Sequence, residues 1–331
     1  MFEDKSILIT GGTGTFGQNF TKEILQNYNF KKVVILSRDE MKQWHMAKNF
    51  SKYPQIRFFI GDVRDKDRLY RAFKGIDYVV HAAATKIVPV AEYNPFECVK
   101  TNVIGSMNVI DAAIDCGVEN VIALSTDKAS SPINLYGATK LAADKLFIAG
   151  NAYSDEHKTK FAIARYGNVM GSRGSVIPFF MSQKNNNVFT ITDPEMTRFM
   201  ITINQAVKLV IDAFQDMSGG EIYVKKIPSM KVVDIAKAIN PNAKLKYIGT
   251  RPGEKIHEQM IGLEDAPYTY EFDEYFIIFS QINHFDLSKK INKGKLVSND
   301  FQYTSSNNKD WMSEKVFLKW LKDNHNKLLV N

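Results

Sequence analysis

A tyrosine and a lysine four residues apart, Tyr136 and Lys140 in the segment Tyr-Gly-Ala-Thr-Lys, carry more chemical information than any other feature of this 331-residue chain. At that spacing a helix puts phenol and ammonium on one face. A free phenol loses its proton near pH 10, so a tyrosine acting as a base at neutral pH needs about 4 kcal/mol of preferential stabilisation of the phenolate. A neighbouring ammonium is one source of it. Just upstream, at what reads as a strand end, stand Ser125, Thr126, Asp127 and Lys128. Asp127 and Lys128 add a second acid and a second base, which oxidation of an alcohol by a tyrosine does not need.

Rigid elements must position these groups, and the hydrophobic pattern names them. Short β-branched runs at 6–10, 33–37, 57–61, 78–82, 121–125 and 161–165 alternate with amphipathic stretches at 16–26, 40–50, 66–73, 97–115 and 136–149. Such alternation predicts an α/β fold with a Rossmann-type doubly wound parallel sheet, whose ligands lie at the carboxyl ends of the strands. After Gly167 the pattern loosens, with a helix expected at 204–215 and a strand at 221–224 that returns to the sheet. Residues 1–170, with about 200–226, are thus expected to form a nucleotide-binding domain. Residues from about 171 to 199 and from 227 to 331 are expected to form a smaller C-terminal α/β substrate lobe.

Composition excludes several classes. Hydrophobic residues at 44% and charged residues at 24% are ordinary globular values. The net charge of +7 comes from scattered Lys and Arg with no basic arm, so anionic small molecules are expected as ligands and nucleic acid is not. Beyond residue 280 nine Lys outnumber five acids, which reads as solvated surface. Two cysteines, Cys98 and Cys116, offer no disulfide framework, and six histidines show no ligand spacing, so no metal is expected. A reducing cytoplasm fits, and the apolar run at 7–9 is too short for a leader or a membrane span.

Thr10-Gly-Gly-Thr-Gly-Thr-Phe-Gly17 follows the first strand and opens the first helix. Gly11, Gly14 and Gly17, with Thr13, Thr15 and Phe16 between them, suit a loop whose backbone N–H groups approach a pyrophosphate. At the end of the second strand stand Ser37, Arg38 and Asp39, with Lys42 one turn on. A guanidinium and an ammonium there would pair with a 2′-phosphate, which favours NADP, while Asp39 leaves NAD open. Arg38 and Lys42 also read as solvated helix-start charges. Asp62 and Val63 end the third strand, where Asp62 would accept from an adenine amino group, cap a helix, or do both. His81 reads as a strand residue, and Ala82, Ala83 and Ala84 after it give small side chains where a cofactor lies against backbone.

Together these residues resemble the extended short-chain dehydrogenase/reductase superfamily over almost the whole chain, through the glycine loop, Ser125-Thr126, Tyr136-x-x-x-Lys140 and Arg165-Tyr-Gly-Asn168. Within it, the segments at 37–43, 61–65, 91–95, 125–129, 134–140, 171–176, 196–199 and 251–258 are similar to the inverting UDP-N-acetylglucosamine 4,6-dehydratases, and most to the PseB-type branch that begins pseudaminic acid biosynthesis. Thr85 and Met200 depart from the pattern without touching the acid, base or phenol. The resemblance implies a redox-neutral cycle on bound, recycled NADP. Tyr136, held by Lys140, would take the 4-hydroxyl proton, Lys128 the carbon-5 proton, and Asp127 would protonate the departing 6-hydroxyl. A lysine can act as that base only if its pKa is lowered. Thr126 joins the catalytic set, and Lys86, Ser125, Tyr166 and Asn168 the cofactor set. Sugar-nucleotide contacts are implied for Lys86, Thr126, Asn168, Val176 and Thr192, phosphate contacts for Arg198, and ribose contacts for Arg251 with Glu254. The resemblance also implies a homo-oligomer, with a hexamer among the sizes it allows. A sugar-nucleotide 4-epimerase, a carbon-5-retaining dehydratase and an NADP-sensing binding protein are the competing readings. An epimerase needs only the tyrosine, and a sensor should have lost one of Asp127, Lys128, Tyr136 or Lys140.

Overall fold

In the computed structural model, residues 2–154, 159–184, 188–282 and 288–329 are described. Six strands of the first half are β1 (Ser6–Thr10), β2 (Lys32–Ser37), β3 (Ile56–Ile60), β4 (Tyr78–His81), β5 (Asn120–Thr126) and β6 (Lys160–Tyr166). They pair in parallel in the order β3-β2-β1-β4-β5-β6. The order reverses between β1 and β4, which opens a crevice at the carboxyl ends of these strands. Helices α1 (Thr15–Asn27), α2 (Glu40–Asn49), α3 (Lys66–Phe73), α4 (Val88–Tyr93), α5 (Pro95–Val99), α6 (Gly105–Asp115) and α7 (Leu135–Tyr153) connect them. Period-two alternation sorts the core into two layers. Ile7 and Ile9 share one apolar cluster with Phe20 and Ile24 of α1, whereas Leu8 shares the other with Phe73 of α3 and Phe147 of α7.

The single helix expected over 97–115 is instead α5, a π-helical turn at Lys100–Ile104 and α6. From that wider turn Asn102 reaches sideways. Its Oδ1 accepts from the Thr85 backbone N–H (2.8 Å), and its Nδ2 donates to the Thr85 carbonyl (3.0 Å) and to Thr139 Oγ1 (3.0 Å). The segment leaving β4 is thereby tied to α7.

The second half continues with β7 (Asn168–Val169), α8 (Val176–Ser182), β8 (Val188–Ile191), β9 (Thr197–Ile201), α9 (Ile203–Asp216), β10 (Ile222–Lys225), β11 (Ser229–Lys231), α10 (Val232–Ile239), β12 (Lys244–Tyr247) and β13 (Gln259–Ile261). The returning strand is β10, parallel to β6. Strands β7, β9 and β11 form a small sheet of their own, and β8 pairs with β12. A separate apolar cluster lies here, including Phe180, Phe189, Met230, Ile235 and Phe317. One expectation is corrected: β14 (Thr269–Glu271), β15 (Tyr275–Ile278) and β16 (Lys295–Leu296), expected in the lobe, extend the large sheet to ten strands, β15 antiparallel to β10, β14 to β15 and β16 to β14. Phe276 and Ile277 continue the core beside Tyr223. Among the described residues no helix is long and apolar enough to cross a membrane.

The helix that carries the tyrosine rests on the turn after β5. Asn134 caps α7, its Oδ1 accepting from the Gly137 N–H (2.7 Å). A Cβ on Gly137 would fall 2.2 Å from the Lys128 carbonyl oxygen, so the approach needs glycine. Gly137→Ala should therefore overpack this contact and destabilise the fold by about 1–3 kcal/mol, read as a lower urea midpoint. Unchanged stability would mean that α7 does not seat on the Asp127–Ala129 turn in this way.

Candidate active site

A cleft of about 900 Å³ runs along the carboxyl ends of the sheet, under the lobe. Every residue singled out above for catalysis, cofactor or substrate lines it, from Gly11 at one end to Arg251 and Glu254 at the other.

At the glycine-loop end, Gly11 has φ +65° and lies so near β4 that a Cβ would sit 2.9 Å from Ala83 Cα. The loop therefore presses on the Ala82–Ala84 segment. Gly14 caps α1 with no side-chain acceptor, and the first turn of α1 carries no acid. Its N–H groups and dipole are thus available to a diphosphate, and these residues fit a dinucleotide. Beside them Arg38 Nη1 is 3.7 Å from Asp62 Oδ2, and Lys42 Nζ is 3.0 Å from Asp39 Oδ2. Asp39 Oδ1 accepts from the Lys42 N–H and caps α2, so this carboxylate is committed to the helix. The capping role considered for Asp62 falls to Asp65, which accepts from the Arg68 N–H. Burial alone would raise the Asp62 carboxyl, but Arg64, held at Nε (3.0 Å) and Nη2 (2.6 Å), keeps it below the usual range. His81 is a buried strand residue. Desolvation, with Lys140 nearby, pushes it down to about 3, and its Nδ1 lies 2.9 Å from Thr10 Oγ1.

At the centre, β5 ends in Thr126, and a 3₁₀ turn presents Asp127 and Lys128. Asp127 is 1% exposed, Lys128 22%. Lys128 Nζ lies 3.1 Å from Asp127 Oδ1 and 2.8 Å from Glu258 Oε1. Burial by itself would lower the lysine, yet the two carboxylates overcome it and hold the ammonium above its ordinary range. The lowered lysine required for a base is therefore not what the protein alone provides. Asp127 goes the other way: burial, reinforced by the Glu258 charge, raises its carboxyl against the pull of Lys128 and favours the protonated acid. Tyr136 is pushed up to about 12 by burial, opposed by a hydrogen bond with the Thr126 hydroxyl and by Lys128. Lys140 donates to the Leu124 carbonyl (2.7 Å) and is lowered by burial against the attraction of Asp144.

The substrate end continues the pattern of alternating charge. Arg198, 7% exposed, is anchored by Nη1 to the carbonyls of Thr197 (2.7 Å) and Ile256 (3.0 Å). Its guanidinium faces Glu258 (3.7 Å) and Glu254 (3.8 Å), and Glu254 binds Arg251 at 3.0 and 3.1 Å. Lys86 is lowered by burial and by Arg173, whose carbonyl it meets at 3.2 Å. Among the described residues no cluster of His, Cys, Asp or Glu is placed to hold a metal.

Residues 7–280 match the family model described as polysaccharide biosynthesis protein. The chain belongs to that family. It is 52% identical, over 96% of its length and 98% of the relative's, to the inverting UDP-N-acetylglucosamine 4,6-dehydratase of Campylobacter jejuni. It is also 42% identical to a UDP-glucose 4-epimerase of Rickettsia bellii, over 96% of this chain and 95% of that one. Among solved structures, Pen from Bacillus thuringiensis superposes with a TM-score of 0.89 at 38% identity, covering 99% of both chains.

Three residues of this site escaped the sequence. They are Asn134 and, in the 251–258 segment of which the sequence singles out Arg251 and Glu254, Lys255 and Glu258. Lys255 Nζ donates to the Ser130 carbonyl (2.8 Å), and Asn134 Nδ2 to the Gly253 carbonyl (2.7 Å), so this segment of the lobe is tied across the cleft to α7 and the β5 turn. The signal was the acid that ends the motif. Lys128→Met should strand Asp127 and Glu258 without their shared cation. The expected loss is about 2–4 kcal/mol, below the upper range for a fully buried pair because Lys128 keeps some exposure. Equilibrium denaturation reads it, and Glu258→Gln added to Lys128→Met should restore most of the loss. Full stability of Lys128→Met would show that the two carboxylates do not depend on it.

Proposed function

We propose that this chain is an NADP-dependent inverting 4,6-dehydratase acting on UDP-N-acetylglucosamine. One observation carries the reading: a buried acid, Asp127, and a lysine, Lys128, stand side by side with the Tyr136 phenol in one cleft. The similarity to the Campylobacter dehydratase supports it. A nicotinamide dinucleotide held by Gly11, Gly14, Gly17, Arg38 and Asp62 would supply the redox chemistry, as acceptor and then donor of a hydride. Tyr136 takes the 4-hydroxyl proton. The resulting ketone acidifies carbon 5, whose proton Lys128 takes. Asp127 then protonates the 6-hydroxyl, which leaves as water, and carbon 5 takes a solvent proton on the opposite face to give the L-arabino 4-keto sugar, the proton held by Tyr136 passing to solvent. Arg198 would hold the diphosphate, with Arg251 and Glu254 at the ribose, Lys86, Thr126, Asn168, Val176 and Thr192 along the sugar nucleotide, and Tyr166 beside the cofactor. The product suits the first step of pseudaminic acid assembly. The second reading, a 4-epimerase, draws on the Rickettsia relative.

The purified protein should convert UDP-N-acetylglucosamine to a product lighter by one water without net use of NADPH. In deuterated water that product should carry deuterium at carbon 5 in the inverted configuration. Mass and NMR spectra check both. An epimer of unchanged mass moves the assignment to the 4-epimerases, and retained configuration removes the inverting one.

Arg38→Ala should weaken NADP by about 1.5 kcal/mol, roughly tenfold in Kd, and leave NAD nearly unchanged, since only NADP brings a 2′-phosphate. Calorimetric titration with each cofactor decides it. Equal weakening of both would remove Arg38 from the phosphate site.

A further inference from the structure

Deprotonating carbon 5 requires Lys128 as a free amine, yet the protein holds it as an ammonium between the carboxyl groups of Asp127 and Glu258. Its proton needs an acceptor inside the cleft. Tyr136 is taken up by the 4-hydroxyl, and Asp127 must arrive at the elimination carrying its own proton. Glu258 remains. It is 1% exposed, its Oε1 lies 2.8 Å from Lys128 Nζ, and its Oε2 is buried with no hydrogen-bond partner among the described residues. Its backbone is fixed by the Glu258 N–H donating to Ser305 Oγ (2.9 Å).

The charges around the pair come from four directions. The β5 turn brings Asp127, α7 brings Tyr136, β9 brings Arg198, and the 251–258 segment brings Glu254 and Lys255. His257, next in the chain, turns its Nδ1 to Thr197 Oγ1 (2.8 Å). Arg198 is the lever among them. Its Nε, 3.7 Å from Glu258 Oε1, stabilises the carboxylate, and an anion docked on Arg198 would weaken that support and make Glu258 a better proton acceptor.

We propose that Glu258 is a positioning residue that accepts the Lys128 proton when the diphosphate of the substrate engages Arg198. The Nζ–H bond of Lys128 breaks, an O–H bond forms on Glu258 Oε1, and the amine left behind faces carbon 5. The pair keeps its net charge, and no further reactant takes part. After Lys128 has taken the carbon-5 proton and Asp127 has given up its own, Lys128 passes a proton to Asp127 and receives the one held by Glu258. That returns all three groups to their starting forms. This inference rests on the dehydratase reading.

The experiment compares the wild-type protein with Glu258→Gln and Glu258→Asp over a pH series, using UDP-N-acetylglucosamine and NADP. In the wild type the proton moves within the pair, so kcat should be flat across neutral pH. In Glu258→Gln the ammonium must shed its proton to water. At neutral pH kcat should then fall on the order of a hundredfold and recover about tenfold per pH unit toward alkaline pH, with KM within about twofold of wild type. Deuterium uptake at carbon 5 should fall with kcat, while oxidation at carbon 4, seen as reduced nicotinamide, should persist. Glu258→Asp, which keeps a carboxylate, should regain part of the neutral rate. A readout independent of turnover is the ¹³C-lysine NMR signal of Lys128, which should deprotonate at lower pH in Glu258→Gln than in the wild type. If the wild type forms no dehydrated sugar, the dehydratase reading fails and the relay with it. If the wild type dehydrates and Glu258→Gln keeps both its rate and a flat profile, the relay alone is overturned. Equal losses in the Gln and Asp variants with flat profiles would make Glu258 a packing residue and overturn it too.

Discussion

Two carboxylates buried within reach of one ammonium set the terms for the rest of this cleft. Removing an ion from water costs several kcal/mol, and two like charges in a low-dielectric pocket add repulsion to that cost. Asp127 and Glu258 are each 1% exposed and can lie near one another because Lys128 stands between them. Asp127 belongs to the turn that ends β5, and Glu258 to the segment that enters β13. The bridge therefore joins the nucleotide-binding sheet to the lobe, and Asn134 to Gly253 and Lys255 to Ser130 reinforce the same seam. From Glu258 the alternation of sign runs on through Arg198 and Glu254 to Arg251. Charge placed at the nucleotide end is thus felt at the acid and base.

The shared frame explains why relatives of different chemistry align along nearly the full chain. A glycine loop, a Tyr-Lys helix and a strand order that opens between β1 and β4 bind a dinucleotide and oxidise an alcohol, and both an epimerase and a dehydratase need that much. Because an epimerase needs only the tyrosine, the acid and base of the Asp127-Lys128 turn, in contact with Glu258, favour the dehydratase reading.

How far this was legible follows from the range of each interaction. The six strands lie within one residue of their expected limits, because β-branched runs bounded by Gly, Asp and Ser carry their own start and stop signals. That the chemistry sits at their carboxyl ends follows from the topology alone. The π turn at Lys100–Ile104 was not legible, since one extra residue in a turn leaves helical propensity unchanged and shows only in what Asn102 touches. Asp62 and Asp65 each precede by three residues a position that could be capped, and the sequence does not say which one the helix uses. The run Tyr275–Ile278 is equally apolar as a lobe strand or as an antiparallel edge. Glu258 lies far from Lys128 along the chain, and no local pattern predicts a contact of side chains across a cleft.

The electrostatics were the least legible part, because each pKa depends on distances that only the fold sets. Lysine four residues after tyrosine suggests a depressed phenol, but Lys140 spends a hydrogen bond on the Leu124 carbonyl and burial pushes Tyr136 up to about 12. Lys128 likewise rests as an ammonium rather than an amine. Of the three groups, Asp127 alone is shifted toward the form in which it would react. On the proposed dehydratase mechanism, oxidation at carbon 4 would wait for a positive charge beside Tyr136, and deprotonation at carbon 5 for a change in the field around Lys128. In the proposed reaction the cationic ring of the cofactor would bring the first charge and the diphosphate of the substrate the second.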